Sequence, residues 1–145
     1  MTDGELVHRR TFLAPRELVW RCLTEPIEIA HFWGPRGMAT PLDGIVVELH
    51  RGGRFETLML GEHGSHRMVA TFTEVVPPER LAWLESTGMH TTSTLADLGD
   101  GRTEVVIHQR NVPESMRGPE AQAGFLSSLD KLEQHLTHLV AGDRP

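Results

Sequence analysis

The sequence predicts an α+β fold: one curved antiparallel sheet of about seven strands, with helices gathered at the two ends of the chain. Three observations lead there. From Gly37 to Arg110 the chain runs in short extended segments separated by Gly- and Pro-rich turns. An isolated strand pattern and two short helical patterns precede that stretch, and one long helical pattern follows it. There is no internal repeat, low-complexity tract or linker, so the pieces belong to one domain spanning residues 1–145, with a core from about 5 to 140. A single sheet of this kind buries one face, and the last helix is what it can bury that face against.

Glu5 to Phe12 reads as the first strand, with Leu6, His8, Arg10 and Phe12 on one face and Val7, Arg9 and Thr11 on the other. Ala14-Pro15 opens a helix, Pro15 standing where a missing N–H costs nothing. Glu17 suits the first turn by its charge. Leu18, Val19, Cys22 and Leu23 form the apolar stripe of that helix. Thr24-Glu25-Pro26 ends it and starts a second helix through Ile27, Ile29, Ala30 and Phe32 to Trp33, which Gly34-Pro35 stops.

Ile45 to Leu49 is β-branched and apolar, followed by a tight turn at Arg51-Gly52-Gly53. Arg54 to Leu60 is a strand with Phe55, Thr57 and Met59 on one face, and Gly61-Glu62-His63-Gly64 is the next turn. Ser65 to Val76 is a long strand closed by Pro77-Pro78, which can neither donate ladder bonds nor extend it. Arg80 to Ser86 places Leu81 and Trp83 together, and His90 to Leu98 is Thr-rich and extended. Gly99-Asp100-Gly101 carries the Asp-Gly hairpin signature, and Arg102 to Arg110 returns with Val105, Ile107 and Gln109 on one face. Pro119 to Val140 is the long helix, with Phe125, Leu129, Leu132, Leu136 and Leu139 at spacings of four and three; Gly142 and Pro145 are expected beyond its end.

Composition narrows the function classes. The chain has 145 residues, 39% hydrophobic and 23% charged, which is enough for a packed core without disulfides or metal. The formal net charge of −6 argues against nucleic acid, whose binders present a basic face. A lone cysteine, Cys22, excludes an internal disulfide and a Cys-based zinc finger, and its place on an apolar stripe makes it a buried structural thiol. The polar start Met1-Thr2-Asp3-Gly4-Glu5 does not resemble a signal peptide, and no apolar run approaches the roughly 20 residues of a membrane span. The expectation is a soluble cytoplasmic protein.

Several motifs, in order, resemble a known family. They are Ala14-Pro15-Arg16-Glu17-Leu18-Val19-Trp20, Thr24-Glu25-Pro26, Phe32-Trp33-Gly34-Pro35, the Gly52-Gly53-Arg54-Phe55 turn, the corner Glu74-Val75-Val76-Pro77-Pro78-Glu79-Arg80-Leu81, and Gly124-Phe125 opening the Leu-rich helix. Together they resemble the SRPBCC proteins related to the activator of Hsp90 ATPase, over roughly Glu5 to Leu139. The resemblance implies the helix-grip fold of the Bet v 1 and START type, in which the sheet wraps the long helix and a cavity lies between them. It implies no single reaction. Two departures stand out. Phe125 stands where members often carry Trp, and Thr91 and Ser93 stand in phase with Leu95, where apolar residues are usual. The second domain with which the eukaryotic co-chaperone engages Hsp90 has no counterpart here, which weakens a chaperone role.

Such a cavity would take its lining from several elements. Phe32, Trp33 and Met38 come from the second helix and the loop after it, which would close the mouth. Phe55, Thr57 and Met59, then Trp83, come from strands; Phe125 and Leu129 come from the long helix. Thr91, Ser93, Ile107 and Gln109 face inward if the phase holds, their polar groups orienting a ligand or bonding backbone. For most of the aromatic and Met side chains, plain core packing is the competing reading. Of the nine histidines, no pair has the His-Glu-x-x-His spacing; His135 and His138 could meet on one helix face, whereas Glu133 points elsewhere. His90 and His108 oppose the phase of Thr91 and Ile107 and belong on the outer face. Glu56 and Arg67 read as a surface ion pair, and one of Asp43, Glu48 and Glu85 could be a buried carboxylate.

No catalytic residue, metal ligand or cofactor is expected. The leading expectation is a binder of a small hydrophobic or amphipathic molecule, such as a lipid or polyketide. The alternatives are a protein-interaction module acting on a chaperone, which calls for a contiguous exposed apolar patch, and a cyclase- or hydrolase-type enzyme. The enzyme needs an inward titratable group among Glu56, Glu85, His90 and His108. A homodimer is left open.

Overall fold

The computed structural model describes residues 4–142. The polar start Met1-Thr2-Asp3 and the terminal Pro145, both used above, lie outside the described residues. Strand β1 (Leu6–Phe12) leads to helices α1 (Arg16–Thr24) and α2 (Pro26–Phe32). A one-turn 3-10 helix (Leu42–Gly44) precedes β2 (Val46–Val47), β3 (Arg54–Gly61), β4 (Gly64–Val76), β5 (Arg80–Glu85), β6 (His90–Gly99) and β7 (Arg102–Arg110). A second 3-10 turn (Glu114–Met116) leads into the long α3 (Pro119–Gly142). All strand pairs are antiparallel, in the order β1-β7-β6-β5-β4-β3-β2, so the first strand closes against the last and the rest is a meander. With α3 against one face, this is the helix-grip arrangement.

The elements differ from the sequence reading at their edges. Pro15 is the residue before α1 rather than its first, and its carbonyl accepts from the N–H groups of Leu18 and Val19. Of the apolar residues through which the second helix runs, Ile29 and Phe32 are buried, whereas Ile27 is 59% exposed. The strand expected from Ile45 to Leu49 shrinks to Val46–Val47: it lies at the sheet edge, pairs only with β3, and leaves Leu49 in solvent. Gly142 falls in the last turn of α3 instead of beyond it.

Two apolar clusters meet across the α3 side of the sheet. In one, Leu129, Leu132 and Leu136 of α3 pack on Phe12, Val19, Cys22, Leu95 and Val105. In the other, Phe55, Phe72, Leu81 and Trp83 fill the β3–β5 side beneath Ile29. Burial pushes the Cys22 thiol up to about 12, with the nearby Glu28 charge adding to the rise, so it is an inert core side chain. The sheet bends where β4 carries a bulge between Phe72 and Glu74. Beside that bend Gly52 N–H donates to the Phe72 carbonyl at 2.8 Å, and Phe72 N–H donates to the Gly53 carbonyl at 2.9 Å. Gly53 is required there by space: a Cβ would fall on the Glu48 carbonyl oxygen.

Polar contacts lock the helices to one another. His135 Nε2 on α3 donates to Glu28 Oε1 on α2 at 2.9 Å, and Arg21 Nε on α1 donates to Glu28 Oε2 at 3.0 Å. His135 also stacks on His31, with ring centroids 4.1 Å apart. So the His135–His138 pairing is not formed; His135 turns to α2 while His138 is exposed. Burial alone would raise the Glu28 carboxyl, but the hydrogen bond from His135 and the Arg21 charge outweigh it and hold it below the usual carboxylate range.

Two predictions follow from this packing. Gly53→Ala should destabilise the protein by about 1–3 kcal/mol in urea unfolding, since neither the Glu48 backbone nor the bend can give way freely; a neutral result would contradict the steric reading. For Glu28, the folded-state value is depressed, so its stabilisation is present above the unfolded value near 4.5 and is lost as pH falls through the folded value. Glu28→Gln should therefore be less stable than the parent by about 1–2 kcal/mol near neutral pH, with the gap closing in acid. A gap independent of pH would show that the charge is not what the contact uses.

Candidate functional site

Between the sheet and the N-terminal half of α3 lies a cavity of about 350 Å³. Its helix wall is Ala121, Gly124, Phe125, Ser128, Leu129 and Leu132. These recur at three and four residues along α3, the same stripe that further on buries Leu136. A second wall is the turn that ends α2, Phe32 through Pro35. Gly34 adopts φ +89°, and a side chain there would also press on the Met59 sulfur at 2.7 Å, so the turn comes down close on β3. Ser128 Oγ donates to the Phe32 carbonyl at 2.8 Å and Thr40 Oγ1 to the Trp33 carbonyl at 2.8 Å, which satisfies the last carbonyls of α2 and fixes the turn.

The sheet wall is set by register. Trp83 pairs with Thr91 and Thr91 with Gln109, one row across β5, β6 and β7. Leu81, Ser93 and Ile107 make the next row. Thr91 is 2% exposed, Ser93 3% and Gln109 7%, so the in-phase hydroxyls and the amide do face inward. Thr91 Oγ1 and Trp83 Nε1 are buried with no hydrogen-bond partner in the protein. Such a group costs about 1–3 kcal/mol unless something bonds it. Phe12, Met59, Met68, Met89 and Val105 add apolar wall, and His66 and Glu85 complete it.

Most of the side chains singled out in the sequence come together here. Phe32, Trp33, Met59 and Trp83 line the cavity, as do Thr91, Ser93, Ile107 and Gln109, and Phe125 and Leu129. Three do not. Phe55 is in the core behind Trp33 and Trp83, stacked on Phe72 at 5.2 Å between centroids. Thr57 is fully buried, with Oγ1 unpartnered, on a stretch of β3 that lies outside the lining. Met38 turns away to pack near Gly61 on the far side of the loop, so Trp33, Gly34 and Pro35 close the mouth without it.

Glu85 was the undecided carboxylate, and it lines the cavity. Alternation from Trp83, two residues earlier, carried that information. Burial pushes its carboxyl up to about 6, while the Trp83 indole N–H, near it but not in a well-formed hydrogen bond, pulls partly the other way. The other three candidates for an inward titratable group face elsewhere. Glu56 is in ion pairs with Arg54 at 3.0 Å and Arg67 at 3.9 Å. His108 Nε2 meets Glu5 Oε2 at 3.1 Å on the outer face. His90 sits there too: Arg110 donates to its Nδ1, at 2.6 Å, so Nε2 carries the proton and bonds Thr73 Oγ1 at 3.0 Å. Burial and then the Arg110 charge hold this imidazole below its ordinary value.

The sequence reading passed over His8, which packs on Phe125 with ring centroids 4.5 Å apart and is lowered by burial, with Gln122 partly opposing. Its place on the inner face of β1 was the available signal. His8 itself is not part of the cavity lining, whereas Met116 and Glu120, from the turn before α3 and its first residues, are, although that segment has no strand register to reveal it. Among the described residues no three His, Cys, Asp or Glu side chains converge as a metal site needs, and no helix is long and apolar enough to cross a membrane.

Comparison with known proteins agrees with the fold. A protein of Chromobacterium violaceum is 26% identical, with 91% of this chain and 96% of that one covered and a TM-score of 0.81. An AHSA1-like protein from Aeromonas hydrophila is 24% identical, with 97% of each chain covered and a TM-score of 0.81. A protein of Mycobacterium smegmatis is 19% identical, with 99% and 96% covered and a TM-score of 0.76. No curated protein matches the chain. Residues 13–137 match the family described as Activator of Hsp90 ATPase homolog 1-like protein, and the chain belongs to that family.

Proposed function

We propose that this protein binds a small hydrophobic or amphipathic molecule, of the lipid or polyketide kind, in the cavity between the sheet and α3. The observation that carries the reading is the combination of an apolar enclosure with buried polar groups left unpaired in it, Thr91 Oγ1 and Trp83 Nε1. Apolar contact with Phe32, Phe125, Leu129 and the Met side chains supplies affinity at roughly 25 cal/mol per Å² removed from water. The row of Trp83, Thr91 and Gln109 supplies orientation, since each can complete a hydrogen bond that the protein alone leaves unmade or partly made. Methionine suits a site that must adapt to its occupant.

The test uses 1-decanol with isothermal titration calorimetry and thermal unfolding. Decanol should raise the melting temperature of the parent and bind it saturably. Phe125→Ala should weaken binding about tenfold through lost contact. Leu126→Ala, its exposed neighbour on α3, should leave binding as it was. No binding, or equal effects of the two substitutions, would contradict the proposal.

A further inference from the structure

The charged groups of the cavity are of one kind. Glu85 and Glu120 line it, His66 joins them from β4, and among the described residues no Lys or Arg does. Glu85 stands on the same face of β5 as Trp83, whose buried Nε1 has no well-formed bond, and Trp83 pairs across the sheet with Thr91, whose buried Oγ1 is also unpartnered. So a carboxylate, a hydroxyl and the Gln109 amide follow one another along one strip of otherwise apolar wall.

We infer that the cavity selects an amphipathic molecule by its head group, taking a protonated aliphatic amine in preference to a neutral alcohol, and either in preference to a carboxylate, with Glu85 as the counter-ion. The inference rests on cavity binding as proposed above. An alkylammonium has three donors and no acceptor. It satisfies Glu85, the Thr91 hydroxyl and the Gln109 carbonyl oxygen together, and leaves Trp83 Nε1 free to donate to the second Glu85 oxygen. Bonds between ionised partners are the stronger ones, and the apolar wall weakens their screening by water. An alcohol has a single O–H donor, so it meets one of these acceptors at a time, and it carries no charge. A carboxylate head would enter beside Glu85 with no cation to meet it, so one of the two would have to take up a proton or remain in water.

The sign with pH follows. Glu85, held up to about 6 by burial, is ionised at neutral pH and protonated below that value. The other titratable groups on the same cavity are His66 and Glu120. Preference for the amine should therefore be full above neutrality and lost in acid.

The experiment compares decylamine, 1-decanol and decanoate by calorimetry on the full protein at a pH of about 7.5, and the amine and alcohol again at about 5, below the Glu85 value. Decylamine should bind about tenfold tighter than decanol at the higher pH, and decanoate weakest. The amine-to-alcohol ratio should fall towards one in Glu85→Gln, and in the parent at the lower pH. If Glu85→Gln does not fold, the pH comparison on the parent decides. Decanoate binding tightest, or a ratio that survives both changes, would overturn the inference while leaving cavity binding intact. Failure of all three probes to bind would overturn both.

Discussion

What α3 meets as it crosses the sheet governs the rest of this structure. Near Leu136 the helix closes with Leu95 of the sheet and with Val19 and Cys22 of α1 into a packed core, and Phe12, Val105 and Leu132 belong both to that core and to the cavity wall beside it. Toward Phe125 the sheet offers Thr91, Ser93 and Gln109 instead. These are too short or too polar to fill the gap, and the turn of α2 covers the gap from the side rather than occupying it. The cavity thus goes with residue choice on two strands, β6 and β7, where short or polar side chains take inward positions. Along α3, Leu136 lies off the cavity lining and Phe125 on it, with the core residues Leu129 and Leu132 shared between the two.

That division explains why the polar contacts fall where they do. The Glu28 carboxylate ties α1, α2 and α3 together through Arg21 and His135, away from the cavity, and holds the helical wall that the cavity needs. The hydroxyls of Thr40 and Ser128 hold the turn that closes the mouth. Inside, by contrast, Thr91 Oγ1 and Trp83 Nε1 lack partners and Glu85 is held away from its ordinary ionisation. Two of the unmet buried polar atoms thus lie in the apolar hollow, while others, Thr57 Oγ1 and His8 Nε2 among them, lie off its lining.

The order of strands and helices was legible because each depends on local signals: alternation in Arg102 to Arg110, the Asp100-Gly101 turn, the three- and four-residue spacing of Phe125 to Leu139. The inward phase of Thr91, Ser93 and Gln109 was legible for the same reason. What alternation cannot tell is how far along a bent sheet a given inward residue stands from the hollow. Phe55 and Thr57 share a face with Met59, yet the bend at Phe72 and the stacking of Phe55 on it carry them into the packed half. Met38 lies in a loop with no period at all. The His135 contact joins positions 107 residues apart, and nothing local announces it. Glu85 could be placed on the inner face, but its altered ionisation arises from enclosure by other elements and exists only in the folded chain.

The central claim is that the hollow beside Phe125 is where a ligand's apolar chain resides. The most direct measurement is the set of intermolecular nuclear Overhauser effects between 1-decanol and the methyl groups of the labelled protein. Contacts are expected to Leu129 and Ile107 and to the methionine methyls of Met68 and Met89, all on the cavity wall, with the methyls of Val69 and Val106 silent. Contacts confined to Val69, Val106 and other residues off the lining, or none to Leu129 and Ile107, would contradict it.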